Sequence, residues 1–161
     1  MTTMTQVRQR CLWMAQNNLQ LLAHLLANVS QETAVTLRDP NDGDKGWTTL
    51  EVVCHLRDFD EFFRLRAMMM REQDNPALPA YDHEAIAIER RYNEQNLTAV
   101  FTDFQAKRAQ FIAFFKNLTD EEWERPGIHP ERGHFTMTDA LMQIMTHDCV
   151  HMEQIGRILH Q

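Results

Sequence analysis

Apolar residues recur at spacings of three and four along most of this chain, and no strand-like alternation stands out. Val7, Cys11, Met14, Asn18, Leu21 and Leu25 form the first stripe and predict a helix from about Thr5 to Asn28. Leu12, Leu19, Leu22 and Leu26 widen it, leaving a second face that another subunit could meet. A turn-rich polar loop, Asp39 to Gly46, follows. Thr48 and Glu51 then have the capping-box spacing, with Trp47 and Val52 placed as its hydrophobic staple. The helix they open should reach about Arg71, carrying Val53, Leu56, Phe59, Phe62, Phe63 and the run Met68 to Met70. Pro76 and Pro79 close it.

From Asp82 to Leu118 the pattern is helical almost throughout. One helix of that span would be about 55 Å long, too long for a bundle of this size. The spacing predicts a short helix near Asp82 to Arg90, a break around Asn93 to Asn96, and a long helix carrying Leu97, Phe101, Phe104, Phe111, Phe115 and Leu118. Thr119 to Glu122 is a second capping box, opening one or two turns before Pro126, and Gly127 to Gly133 reads as loop. Thr136 and Asp139 cap a final helix running to about His160, with Leu141, Ile144, Met145, His147, His151, Ile155 and Ile158 inward. Four long amphipathic helices with short connectors predict an all-α protein, a four-helix bundle forming one domain over residues 1–161.

Composition narrows the partners. The apolar fraction of 43% and charged fraction of 24% are those of a soluble globular protein. A net charge of −7 argues against nucleic acid and against an anionic membrane. No apolar run is long enough to span a bilayer, the N-terminus lacks a signal-peptide shape, and the three cysteines include no CxxC pair. Free buried thiols in a reducing cytoplasm are the expectation.

The chemistry concentrates in the last helix. His147 and His151, four apart, lie one above the other on its apolar face. Their Cβ atoms are then about 5–6 Å apart, within reach of one metal ion at about 2.0–2.1 Å from each nitrogen. Two unrelated core histidines would have the same spacing. The pair has the HExxH spacing, but Asp148 stands where that motif has Glu, which weakens a metalloprotease reading. A third donor has to come from another helix, and His55 is the best candidate. Glu51 is a possible fourth ligand already occupied by its cap; Asp58 and Asp148 are candidates for orienting a ligand. Cys54 and Cys149 point away from the neighbouring histidines, the methionines read as core filling, and His24 reads as a core-edge residue. His83, His129, His134 and His160 read as solvated.

Two stretches carry a family resemblance. Trp47 to Glu61, which contains His55, resembles the second-helix motif of the DinB-like (DinB/YfiT-like) family; Gly133 to Ile155, which contains His147 and His151, resembles its last-helix motif. The resemblance implies a four-helix bundle, often a homodimer, with a divalent metal such as Zn²⁺ or Ni²⁺ (Fe²⁺ is not excluded by imidazole ligands) held by His55, His147 and His151. Relatives of this kind imply a metal-dependent transferase acting on a low-molecular-weight thiol and an electrophilic partner; the ligand set equally allows a hydrolase. The competing expectation is a non-catalytic dimeric bundle, stress-related or ligand-binding, whose metal is structural. A closed set of four protein ligands would favour it.

Overall fold

The computed structural model describes residues 3–161; Met1 and Thr2, part of the polar N-terminal stretch, lie outside it. Four long helices form the bundle: α1 (Met4–Leu26), α3 (Thr49–Glu72), α5 (Leu97–Lys116) and α7 (Met137–Leu159). Three short helices, α2 (Gln31–Thr36), α4 (His83–Glu89) and α6 (Asp120–Trp123), lie in the connections. Neighbours round the bundle run α1, α7, α3, α5 and back to α1, so the first two long helices of the chain lie on a diagonal. Among the described residues no helix is long and apolar enough to cross a membrane.

Helix starts fall where side chains satisfy the free N–H groups of the first turn. Both halves of the capping box form at Thr48 with Glu51, at Thr119 with Glu122 and at Thr136 with Asp139. Ser30 caps α2, which the sequence reading passed over as connector. A second departure is a small antiparallel hairpin, Pro126–His129 (β1) with Gly133–Thr136 (β2), in the stretch read as loop. Gly133 ends its turn at φ +70°, a conformation that costs glycine little.

The core is two apolar clusters separated by a polar layer. One holds Phe63, Met70, Phe111, Phe115, Leu141 and Ile144; the other holds Leu22, Leu50, Leu56, Phe104, Ile155 and Ile158. Fully burying one such side chain contributes about 1.5–3 kcal/mol. Between the clusters lies Arg108 of α5, with no exposed surface. Its Nε and Nη2 donate to the Asp60 carboxylate of α3 at 2.6 and 2.9 Å. Its Nη1 and Nη2 donate to Asp148 of α7 at 2.9 and 2.8 Å, and Nη1 also reaches the Ala15 carbonyl of α1 at 2.6 Å. Asn18 of α1 adds a bond to Asp148 at 3.3 Å. Burial pushes the Asp60 carboxyl up to about 7, against the pull of the Arg108 charge.

Removing one partner of a buried ion pair strands the other charge and costs about 3–5 kcal/mol. Arg108→Leu is therefore expected to lower unfolding stability by about that much, read as a fall in the urea midpoint.

Candidate metal centre

His55 comes from the second turn of α3, and His147 and His151 from the middle of α7, a helix packed directly against α3. One ligand nitrogen from each of the three lies within 4.8 Å of the others, and among the described residues this is the group of histidine, cysteine or acidic side chains arranged to hold a cation. His55 Nε2 and His147 Nε2 are 2.8 Å apart. Nitrogens sharing a tetrahedral ion are separated by about 3.3 Å, so the cluster needs only small side-chain adjustments to take one.

The surroundings keep these imidazoles neutral. Burial is the leading cause for each, and the neighbouring histidines add to it at His55 and His147. A bond to Gln154 partly offsets the effect at His151. The neutral ring is the form that ligates. His55 is 4% exposed, and its Nδ1 has no hydrogen-bond partner. A buried polar atom left so costs about 1–3 kcal/mol.

One support was missed in the sequence. His151 Nδ1 lies 2.8 Å from Gln154 Oε1, and Gln154 Nε2 donates to Asp39 at 2.9 Å. Asp39 is in turn gripped by Arg157 at 3.0 and 2.8 Å, which holds its carboxyl well below the usual range. This relay orients the His151 ring, with Nδ1 as the donor. The signal was Gln154 itself, three residues after His151 on the same helix face.

The other candidates are engaged elsewhere. Asp58 accepts from Arg57 at 2.8 Å, Tyr92 Oη at 2.6 Å and Arg90 at 2.9 Å, and Asp148 belongs to the Arg108 clasp. Neither carboxylate has a hydrogen bond to a site histidine. Glu51 accepts from the Thr48 N–H at 2.8 Å in its capping box. The Cys54 thiol faces the Tyr92 carbonyl, and burial pushes its pKa up to about 12; Cys149, against the expectation of buried thiols, is exposed.

One of the histidines read as solvated is placed otherwise. His129 is buried, with Nε2 at 3.0 Å from Arg66 Nη1. His83 is exposed but stands at the mouth of the site, its ring centroid 6.1 Å from that of His55. The three histidines form the floor of a cavity of about 360 Å³, walled by Trp47 and Phe59 and rimmed by Asp42, His83 and Glu84. A larger groove of about 590 Å³ between α1, α5 and α6 contains none of these residues.

Residues 14–155 match the model of the DinB superfamily. YfiT of Bacillus subtilis (strain 168), a protein whose name classes it with metal-dependent hydrolases, is 25% identical over 144 residues, which are 87% of this chain and 81% of YfiT. The solved structure of Bacillus subtilis YfiT, described as having an unusual four-helix bundle topology, superposes with a TM-score of 0.81 at 21% identity, covering 99% of this chain and 87% of that one. A mycothiol-dependent maleylpyruvate isomerase superposes with a TM-score of 0.77 at 14% identity, covering 97% of this chain and 64% of that one. At these identities the structural matches establish the bundle.

The neutral cluster sets a pH dependence. In the unfolded chain these imidazoles take up protons near their ordinary pKa of about 6.5, whereas in the native state they resist. The stability they contribute is complete above about pH 6.5 and is lost as pH falls. Chelator-treated protein should therefore lose thermal stability between about pH 7 and 5. His147→Leu should show a shallower dependence in the same melts.

Proposed function

The chain belongs to the DinB superfamily, and we propose that it is a metal-dependent enzyme whose divalent cation is held by His55, His147 and His151. The observation that carries this reading is the meeting of three neutral imidazoles from two helices at the floor of an open cavity. Such a cation supplies Lewis acidity toward water, thiols and carbonyl or phosphoryl oxygens. Three protein donors with no carboxylate or thiolate completing the set favour a catalytic site over a sealed structural one.

The chain's own residues have separable tasks. Gln154 and Asp39 fix the His151 tautomer. Phe59 lies at 4.2 Å from the His55 ring centroid and 5.5 Å from that of His147, limiting water beside both. Trp47 also packs against His55, edge-on at 5.1 Å. The cavity, about 360 Å³, is of a size for a small molecule. Hydrolysis, as in the naming of YfiT, and chemistry that depends on a small thiol, as in the naming of the mycothiol-dependent isomerase, both fit this arrangement. We take the cation to be Zn²⁺ or Ni²⁺, the setting to be cytoplasmic and the working form to be a homodimer.

Protein purified from zinc- or nickel-supplemented cells should carry about one divalent ion per chain, measured by plasma emission spectroscopy. His147→Ala and His55→Ala should lose it; equal substoichiometric metal in all three would sink the reading. Gln154→Leu should retain the site but weaken metal affinity by about 10–100-fold in a competition titration with a chromogenic chelator.

A further inference from the structure

We propose that the cavity above the three histidines selects a small substrate bearing an organic cation, an ammonium or amidinium group, with Glu84 and Asp42 as its specificity-determining residues. This rests on the reading of the cavity as a substrate site.

The walls and rim of that cavity have the chemistry of cation recognition. Trp47 and Phe59 line it with aromatic rings, the side chains to whose π-systems ammonium and amidinium groups are attracted. Asp42 and Glu84 supply carboxylates at the mouth, and no lysine or arginine lines the cavity among the described residues. The Glu84 carboxylate is held in position. Trp47 Nε1 donates to its two oxygens at 3.1 and 3.3 Å, so it stands beside the indole that packs on His55.

The Asp42 loop is also fixed. The Asp42 N–H donates to the Asp39 carbonyl at 3.3 Å, and the Asp39 N–H donates to the Trp47 carbonyl at 2.9 Å. Gly46 lies so close to the Asp39 backbone that a Cβ there would meet the carbonyl oxygen at 2.3 Å. Asp39 therefore anchors both the relay to His151 and the loop that presents Asp42.

Charge decides the orientation. The mouth carries two negative charges, and a divalent ion at the floor would carry two positive ones. A substrate with an ammonium at one end and an electron-rich reacting group at the other matches both ends. A substrate with carboxylates at the mouth meets repulsion from Glu84 and Asp42 without a compensating guanidinium or ammonium.

The test compares benzylamine with benzoate at pH 8. At that pH the two have the same ring and opposite charge, and an ordinary imidazole is neutral. Binding is followed by the NMR shift of the Trp47 indole N–H, in zinc-loaded and in chelator-treated protein. Benzylammonium should bind roughly tenfold or more tightly than benzoate in the chelator-treated protein. The double variant Asp42→Asn, Glu84→Gln should bring the two within about twofold. In zinc-loaded protein, where benzoate can also reach the metal, the same double variant should move the affinity ratio toward benzoate by about the same factor. Equal affinities in the wild type, or a ratio unmoved by the double variant, would overturn the proposal. Metal content is read on the same samples. A protein that takes up zinc but shows no charge preference refutes the cation site and leaves the metal reading standing. A protein that prefers benzylammonium but takes up no zinc does the reverse.

Discussion

One guanidinium sets the register of this bundle. Arg108 binds carboxylates from α3 and α7 and a backbone carbonyl from α1, so all four long helices meet at a single group. Asp60 is five residues beyond His55 and Asp148 is next to His147. Sliding α3 or α7 by one turn would break the clasp and carry the histidines apart together. Taking three charged groups out of water is expensive, and such clusters seldom add more stability than apolar residues of the same shape would. What this one supplies is uniqueness: apolar ridges can pack in several offsets, but a planar fork with fixed donors accepts one.

The clasp and the histidines stand near one another on α3 and α7, on their buried sides. That placement explains the electrostatics of the site. The imidazoles are depressed by burial before any neighbouring charge is counted, and the Arg108 cation adds to the effect at His147. Neutral donors at physiological pH are therefore a product of the fold. The aromatic rings of Phe59 and Trp47 extend the same shielding upward toward the cavity.

Much of this was legible in the sequence because it depended on local rules. Thr48, Thr119 and Thr136 announce their helices through side-chain bonds that span three residues, and His147 and His151 face one way because a helix repeats at 3.6. His55 could be singled out as a third inward donor, although no local rule says that α3 lies against α7. The hairpin was missed because strands of four residues are too short for alternation to show. Arg108 was passed over although it interrupts the stripe from Phe104 to Phe111, where a charge demands buried partners. Asp58 and Asp148 lie near the site histidines in sequence, but Arg57, Arg90 and Tyr92 engage the first and Arg108 the second. The place of His83 depends on how a loop crosses the bundle end, which no spacing encodes.

The floor and the rim of the cavity are built from different kinds of backbone. The histidines stand on two of the longest helices, locked by the buried fork, whereas Asp42 and Glu84 stand on a connecting loop and on the first turn of a short helix whose residues are all at least partly exposed. Exchanging a side chain on the rim disturbs little packing, so evolutionary drift there is nearly free of folding penalty. The scaffold can thus hold its histidine cluster constant while descendants diverge in what lines the opening above it, a separation that favours diversification by gene duplication.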